Sequence, residues 1–376
     1  MNYLNHEYDK FNGERLKLAR RVRNITLQEL AEKMKKSHQA ISKYENGKSS
    51  PSSDDVMRLS YFLKFEPSFF YLKGSAADLE DNSFIFRSKA SVAKKYKEQV
   101  EATMILIKQF VEKIEFKVSL PPFDKTLIEK NVPYHAYSEE EIESLAINVR
   151  GRFGLGSGPI INLTALCERM GIIIVFMNFN SDGIDACSGI VNNRPYIVLN
   201  KDRLSSVRIR FNIAHELGHI LLHLKYDKNI ISNKNHSKSI EREAHQFASS
   251  LLMPEEGIVG DLTALGLDYL VTLKRHWLVS IQAIIYRAEQ LGIFTADYAL
   301  YLRQQISRKK WRTVEPLDDK IPKEKPKLLS YAVEYLEKEK HFFISQLSFL
   351  TGITEDEILL FCSREQRQTN VIQLNK

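Results

Sequence analysis

The sequence predicts a multidomain, mainly α-helical protein that contains one α+β core. With 376 residues, the chain is too long for one ordinary domain and suits two or three. Apolar residues recur at helical spacing in several segments, whereas strand-like apolar runs are short, as at 172–175 and 196–200. We therefore divide the chain into four parts. They are 1–75 (an all-α amino-terminal domain), 76–137 (a helical linker), 138–307 (the α+β domain) and 308–376 (a basic linker and a small helical region).

Residues 14–71 carry the pattern of a small helical domain. Thr26 precedes an apolar run and Glu29 follows three residues later, which is a capping box that starts a helix. Ser37 can cap a second helix, and Gly47 ends it. One set of side chains on the second helix packs the two helices together, and another set points outward. The outward set is His38, Gln39, Ala40, Ser42 and Lys43.

This pattern resembles the Cro/C1-type (XRE) helix-turn-helix, including its E-N-G-x-x-x-P ending at residues 45–51. The resemblance implies double-stranded DNA as a partner, with the helix that begins after Ser37 in the major groove. The residues expected to contact DNA are Gln28, Ser37, His38, Gln39, Ala40, Ser42, Lys43 and Lys48. Among them, Gln39 is placed to read adenine. The residues expected at or near phosphates are Gln28, Lys43 and Lys48. The other interpretation is a domain that uses the same fold to hold a protein partner, because a fold alone does not determine function.

The charge distribution agrees with a polyanionic partner. The chain has a formal net charge of +7. Its first 75 residues contain 14 Lys and Arg against 9 Asp and Glu, so five of these seven charges lie in one fifth of the length. A positive field of this kind attracts nucleic acid. Relatives of the amino-terminal domain commonly bind paired half-sites as dimers, so a homodimer is one option.

A second, independent motif lies at residues 214–223, which read A-H-E-L-G-H-I-L-L-H. Residues four apart on a helix lie one turn above each other, so His215 and His219 can present two imidazole nitrogens to one metal ion. Glu216 lies beside them, where a carboxylate can take a proton from an attacking water. H-E-x-x-H is typical of zinc hydrolases. Because its flanks are nearly all apolar, histidines with only a core or capping role are the weaker alternative.

Catalytic zinc commonly has three protein ligands and one open position, so the motif needs a third ligand. His223 is nearest in sequence, but on a continuous helix it would lie about 12 Å from His215, and we predict a structural role for it. An amphipathic helix at 239–254 offers Glu241 and Glu243 instead. Periodicity alone does not choose between these two carboxylates, and a solvated helix face is the other interpretation of both.

Together these motifs resemble the ImmA/IrrE family of metallo-endopeptidases. The resemblance rests on R-I-R-F-N-I before H-E-L-G-H and on E-x-E-A-x-x-F-A-x-x-L-L-M-P from Glu241 to Pro254, with weaker matches over about 140–290. It implies a zincin-like core in which zinc is held by His215, His219 and Glu241. Members of the family typically cleave a repressor or another helix-turn-helix partner, and thereby switch on a stress, mobile-element or defence response.

The resemblance also suggests which residues support the metal ligands. Glutamate-type zinc peptidases place an Asp or Asn four residues after the ligating Glu, where it steadies a ligating histidine through a hydrogen bond. His245 occupies that position here, where many relatives have Asn or Asp. His245 and Glu243 are therefore expected as supporting residues or as alternative ligands.

Two functions of different class follow. The first is a zinc-dependent endopeptidase that cleaves a transcriptional repressor or other helix-turn-helix partner and carries its own DNA-binding domain. The second is a DNA-binding regulator or antitoxin-like protein whose metal site is structural or inactive. Glu216 favours the first, since a purely structural site needs no acid beside its ligands.

The cysteines add one hypothesis. Cys167, Cys187 and Cys362 are far apart and odd in number, which fits a reducing compartment. Cys187 precedes the metal-binding motif by 28 residues, in a segment expected to form a strand beside the cleft. Its thiolate could occupy the open metal position in a latent state, and a small buried cysteine is the other interpretation.

Several classes of protein are excluded by the sequence. No stretch of 18 apolar residues occurs, and the first residues lack the basic and then apolar pattern of a signal peptide. No C-x-x-C pair is present, which argues against a zinc ribbon. We therefore expect a cytoplasmic protein with no membrane partner.

Overall fold

The computed structural model describes residues 10–73, 94–128, 133–179, 185–191, 194–200, 204–226, 228–231 and 233–364. Within these ranges the protein is mainly helical and contains a three-stranded sheet, which confirms the predicted fold class. Parts of the predicted linker (76–93) and of the carboxy-terminal region (365–376) lie outside the described residues. None of the helices in the described ranges is long and apolar enough to span a membrane.

The elements follow one another in three groups. The first group is α1 (Gly13–Val22), α2 (Leu27–Met34), α3 (His38–Glu45), α4 (Ser53–Leu63), a 3₁₀ turn (Pro67–Tyr71) and the long helix α5 (Lys94–Glu115). The second is α6 (Glu139–Arg152), α7 (Leu163–Arg169), β1 (Ile173–Met177), β2 (Ala186–Val191), β3 (Arg194–Asn200), α8 (Ser206–Gly218), a π-helical turn (His219–His223), α9 (Lys228–Ile231), α10 (Lys234–Leu252), α11 (Glu255–Asp261), α12 (Leu267–Trp277), α13 (Ile281–Gln290) and α14 (Ala296–Arg308). The third is α15 (Leu328–Glu339), α16 (Ile344–Thr351) and α17 (Glu355–Phe361).

The helix starts of the amino-terminal domain match the sequence expectations. Thr26 and Glu29 form the predicted capping box at the start of α2. The Ser37 side chain caps α3 by accepting a hydrogen bond from the backbone N–H of Ala40. Satisfying these otherwise unpaired N–H groups fixes where α2 and α3 begin, and hence the turn between them.

The sheet separates two hydrophobic cores. Its strand order is β1-β3-β2, with β1 parallel and β2 antiparallel to the central strand β3. Successive side chains on a strand point to opposite faces, so each strand contributes to both cores. Val175 and Val198 belong to the first core, which also contains residues of α1–α5 and α15–α17. Ile174 and Ile197 belong to the second core, which α6–α8 and α10–α14 complete.

The predicted linker helix is a core element. The expected segment, 92–118, corresponds to α5, whose buried residues include Val100, Leu106, Phe110 and Ile114. These residues pack against α1 and against the carboxy-terminal helices α15 and α16. A helix that is apolar over so wide a face cannot bridge two domains through solvent, because that surface must be buried.

The segment between α14 and α15, which the sequence suggests is a basic linker, is fixed to the second group of helices. The ammonium group of Lys274, fully buried on α12, donates to Glu315 at 2.9 Å and to Asp318 at 2.6 Å. Glu324 pairs with the buried Arg210 of α8 and accepts the N–H of Thr164 at the start of α7. A buried charge is stable only when it is paired, so these contacts tether the segment along its length.

The carboxy-terminal helices close on the amino-terminal domain. Phe65 forms an isolated β-bridge with Ile353, and the N–H of Glu66 donates to the carbonyl of Gly352 at 2.9 Å. The guanidinium of Arg23 contacts a carboxylate oxygen of Glu357 at 2.9 Å. The small helical region predicted after residue 327 thus completes the first core.

We expect Gly352→Ala to loosen this junction. Gly352 has φ +65°, and a Cβ there would lie 2.5 Å from the Cα of Phe69. Gly47 has φ +66° but open space around the same position, so Gly47→Ala introduces the backbone strain without the clash. The strain costs about 1–2 kcal/mol in either variant. The clash should add about 1–3 kcal/mol in Gly352→Ala alone.

Thermal unfolding and limited proteolysis of the full chain measure the difference between the two variants. Gly352→Ala should show the lower midpoint and earlier cleavage in α15–α17. Equal midpoints and equal cleavage would mean that Gly352 does not lie against Phe69.

Candidate metal centre and nucleic-acid surface

The metal-binding motif lies where α8 packs against α10. Gly218 permits the close approach of the two helices, because a Cβ there would lie 3.1 Å from the carbonyl oxygen of Ala244 and 3.1 Å from the ring of Phe247. Any larger residue would push α10 away from α8. The glycine between Glu216 and His219 therefore sets the distance between the histidines on α8 and the carboxylates on α10.

Three of the predicted ligands meet at one point. Nε2 of His215 and Nε2 of His219 lie 3.0 Å apart. Carboxylate oxygens of Glu241 lie 3.3 Å from the first nitrogen and 3.8 Å from the second. Among the described residues, His215, His219 and Glu241 form the group of ligating atoms that could hold a metal ion. The side chain of Glu241 is half exposed, so this point is open to solvent.

Glu216 lies beside this group and is nearly buried, with 7% of its surface exposed. Its Oε2 accepts a hydrogen bond of 2.5 Å from the hydroxyl of Ser188 on β2. A short hydrogen bond of this kind holds the carboxyl group in one orientation. β2 therefore forms the wall of the site next to Glu216, the predicted general base.

His223 is held behind the ligands by a π-helical turn. α8 ends at Gly218, and His219–His223 forms the π turn, in which the N–H of Leu224 donates to the carbonyl of His219. This extra residue in the turn departs from the continuous α-helix assumed from the sequence. Nδ1 of His223 lies 3.0 Å from Nδ1 of His219, and both rings are buried.

Glu243 lies on the buried side of α10 and faces His223. Its Oε2 is 3.0 Å from Nε2 of His223, and its Oε1 accepts a hydrogen bond of 2.5 Å from Ser239. Burial raises the pKa of this carboxyl, but the hydrogen bonds from His223 and Ser239 outweigh it and hold the pKa below its ordinary value. Glu241 and Glu243, which periodicity could not distinguish, thus occupy different places. Glu241 lies with the ligands, and Glu243 lies behind them.

His245 is packed among aromatic rings. Its ring centroid lies 4.8 Å from that of Phe211, 4.8 Å from that of Tyr286 and 6.3 Å from that of His215. Burial, and then the neighbouring His215, lowers the pKa of His245. The hydrogen bond from this position to a ligating histidine, which the E-x-x-x-D/N spacing implies, is not among the contacts found for the described residues.

Cys187 lies on the opposite face of the sheet from the metal group. It alternates with Ser188 on β2, so when Ser188 faces Glu216 the thiol points into the first core. Its Sγ donates to the carbonyl of Val198 at 3.6 Å. Burial, and then the charge of Glu216, raises the pKa of the thiol well above its ordinary value. The structure therefore places Cys187 as a buried core cysteine and gives no support to the predicted latch.

Most of the residues expected to contact DNA are exposed. On α3 and at its cap, Ser37, His38, Gln39 and Lys43 are exposed, and Ala40 and Ser42 are half-buried. Gln28 on α2 and Lys48 after α3 are also exposed. Arg20 holds the carboxylate of Glu45 through hydrogen bonds of 2.5 and 3.0 Å, which ties the end of α3 to α1. The predicted reading helix α3 is thus held against α1 at its carboxy-terminal end, and Gln39 and Lys43 on it are exposed.

The sequence reasoning missed two contributions to the metal centre. The signal for Ser188 was the strand expected at residues 185–189, since alternation makes Ser188 and Cys187 face opposite ways. The signal for His223 was its four-residue spacing from His219, which places the two side chains one turn apart on a helix. In the structure the backbone between these two residues forms a π turn.

Comparison with protein families gives two matches. Residues 167–289 match the IrrE N-terminal-like domain of peptidase family M78, and this range includes every predicted metal ligand. Residues 16–70 match the helix-turn-helix family. A search of curated proteins finds no match. The two matched segments agree with the resemblance inferred from the motifs, and the chain therefore combines a helix-turn-helix domain with an IrrE N-terminal-like metallopeptidase domain.

Proposed function

We propose that this protein is a zinc-dependent endopeptidase that cleaves a transcriptional repressor or another helix-turn-helix partner, and that its own helix-turn-helix domain binds DNA. The observation that carries the proposal is the convergence of His215, His219 and Glu241, with Glu216 next to His215 in the motif. Cleavage would switch on a stress, mobile-element or defence response. The family match supports the peptidase class, and the resemblance to ImmA/IrrE proteins supports the substrate class.

The ligand atoms fit zinc in both type and spacing. Two imidazole nitrogens and one carboxylate oxygen form a common donor set of catalytic zinc, which leaves a fourth position for water or substrate. Tetrahedral zinc with bonds of about 2.0–2.2 Å keeps its ligand atoms roughly 3.3–3.6 Å apart. Here the two nitrogens are 3.0 Å apart, Oε2 of Glu241 lies 3.3 Å from Nε2 of His215, and Oε1 of Glu241 lies 3.8 Å from Nε2 of His219. A zinc ion bound there would polarise the substrate carbonyl and activate water near neutral pH.

Glu216 would act as the general base. The hydrogen bond from Ser188 orients its carboxylate next to the ligands, where it can take the proton of the attacking water. The same carboxyl would then pass this proton to the departing amine. The half-exposed Glu241 leaves the site accessible to an extended peptide.

The exposed face of α3 supports DNA binding. Gln39 is exposed near the amino-terminal end of the helix, from which helix-turn-helix proteins read base edges. Lys43 and Lys48 lie exposed beside it and suit phosphates. DNA binding would place the peptidase at the operators of the repressors that it cleaves.

We expect Glu216→Gln to abolish cleavage and to retain zinc. Removing the base should lower the cleavage rate by about 10²–10⁴-fold, while the three ligands stay intact. New protein amino termini would be compared between host cells that express wild type and cells that express Glu216→Gln. A helix-turn-helix protein encoded next to this one on the genome would then be incubated with each purified enzyme and tested for cleavage. The control is Glu355→Gln, an exposed carboxylate on α17.

Cleavage by wild type and by Glu355→Gln, but not by Glu216→Gln, is the expected pattern. If zinc-loaded wild type and Glu216→Gln give the same set of termini, the endopeptidase proposal is wrong.

Zinc should stabilise the folded chain through its ligands. Zinc at 100 to 1,000 times its dissociation constant contributes about 3–4 kcal/mol, so a chelator should lower the unfolding midpoint of wild type. His219→Ala should lose this response, and Glu216→Gln should keep it. Calorimetry with and without a chelator, together with metal analysis, tests both expectations. A chelator response in His219→Ala equal to that of wild type would place the metal elsewhere.

Gln39→Ala should weaken sequence-specific DNA binding. We expect a loss of about 1–3 kcal/mol on a preferred site selected from a random library, because a contact to one base is removed. Lys48→Ala should weaken binding to all sequences alike and reduce the salt dependence by about one charge. Fluorescence anisotropy at several salt concentrations measures both effects, with Lys125→Ala, an exposed lysine outside the helix-turn-helix domain, as a control. Unchanged selectivity in Gln39→Ala would argue that α3 does not read bases.

A further inference from the structure

A chain of hydrogen-bonding groups runs behind the metal ligands. It starts at Ser239, whose hydroxyl donates to Glu243, and continues from Glu243 to Nε2 of His223 at 3.0 Å. It ends where Nδ1 of His223 lies 3.0 Å from Nδ1 of His219. Glu243 and His223 are 0% and 1% exposed, so water does not compete for these contacts. Nothing in the proposed peptide hydrolysis uses Ser239, Glu243 or His223.

The direction of the hydrogen bonds in this series follows from the carboxylate of Glu243. A carboxylate only accepts hydrogen bonds, so the Nε2 of His223 that faces Glu243 must carry a hydrogen and donate it. A neutral imidazole has one donor and one acceptor, which makes Nδ1 of His223 the acceptor. The Nδ1 of His219 that faces it must then be the donor. The remaining nitrogen of His219, Nε2, is left with its lone pair toward His215 and Glu241.

The opposite polarity would be incompatible with a metal ligand. If Nδ1 of His223 carried the hydrogen, Nδ1 of His219 would have to accept it. The hydrogen of a neutral His219 would then sit on Nε2, which is the nitrogen that faces the other two ligands. Metal coordination needs a free lone pair. Nε2 of His219 therefore can bind a metal ion only when Nδ1 of His219 donates to His223.

Two features of the backbone build this arrangement. His223 follows His219 by four residues along the π turn, and the Nδ1 atoms of the two rings face each other. α10 presents Glu241 on its open side and Glu243, two residues later, on its buried side. One helix therefore supplies a carboxylate to the ligand group and a second carboxylate to the group behind it.

We propose that Glu243 and His223 are positioning residues that select the tautomer and ring orientation of His219, so that Nε2 faces the metal ion. This inference rests on the metal centre in the proposed function and deepens it. Ligating histidines are commonly oriented by a carboxylate bonded directly to their second nitrogen. Here a second histidine transmits the effect of the carboxylate.

The tautomers are the first test. In zinc-loaded protein labelled with ¹⁵N-histidine, Nδ1 should be protonated in His219, and Nε2 in His223. His223→Gln and His219→Ala assign the signals. A zinc-loaded wild type in which Nδ1 of His219 carries no hydrogen would overturn the proposal.

Metal affinity is the second test, and its variants separate positioning from folding. His223→Phe alone would leave the buried Glu243 without its partner, so the double variant His223→Phe, Glu243→Met removes both groups and keeps their volumes. We expect this double variant to fold and to bind zinc about 10–100-fold more weakly than wild type in a chelator competition. His223→Gln, which can donate to Glu243 and accept from His219, should recover most of the affinity.

Glu315→Gln is the matched control. It removes a buried carboxylate that pairs with Lys274, far along the chain from the metal ligands. It should lower the unfolding temperature and leave zinc affinity unchanged. Wild-type zinc affinity in the folded double variant would overturn the proposal, as would an equal loss of affinity in Glu315→Gln.

A failure of the positioning inference can be distinguished from a failure of the proposed endopeptidase function. Tautomers and zinc affinity are measured without any peptide substrate. A protein that binds zinc, shows the expected tautomers and cleaves nothing would contradict the endopeptidase and retain the positioning roles. A protein that cleaves its substrate while the double variant keeps wild-type affinity would contradict the positioning roles alone. Absence of zinc binding by wild type would overturn both.

Discussion

The close packing of α8 against α10 is the constraint on which the metal centre depends. Gly218 has little space beside it, because the nearest backbone and ring atoms of α10 would lie only 3.1 Å from a Cβ at this position. The two helices therefore approach each other at the level of the histidines. This contact brings Glu241 to His215 and His219 on one side, and Glu243 to His223 on the other. A small shift of α10 would disturb both sets together, since packed interiors do not deform continuously.

The sheet joins the metal centre to the rest of the molecule. Its strands are only five to seven residues long, and each is covered on both faces. Ser188 reaches Glu216 from one face of β2, and Cys187 packs into the first core from the other. The core behind the helix-turn-helix and the core of the peptidase therefore share one structural layer. Cys187, in the core behind the helix-turn-helix, is adjacent in β2 to Ser188, which orients the proposed base Glu216.

Features that depend on local chemistry could be predicted from the sequence, and features that depend on distant packing partners could not. The caps at Thr26 and Ser37 place α2 and α3, because their side chains bond only to nearby N–H groups. Helical spacing placed two metal ligands but left Glu241 and Glu243 equivalent, since both flank the same apolar stripe. The spacing of His219 and His223 allows their contact, but it does not reveal that His223 also meets Glu243 on another helix. The burial of α5 needs distant partners, which periodicity does not identify.

The junction of Phe65 and Gly352 has a practical consequence for anyone who divides this chain. The residues that match the helix-turn-helix family stop at 70. The apolar surface behind them, however, is covered by α5 and by α15–α17. A fragment cut at the family boundary would expose Phe65 and Phe69 to water. Such a fragment is prone to aggregate. Weak DNA binding by the fragment would then result from the loss of α5 and α15–α17 and not from a defect in α3. Expression of α1–α5 as one polypeptide and α15–α17 as another would keep this apolar surface covered.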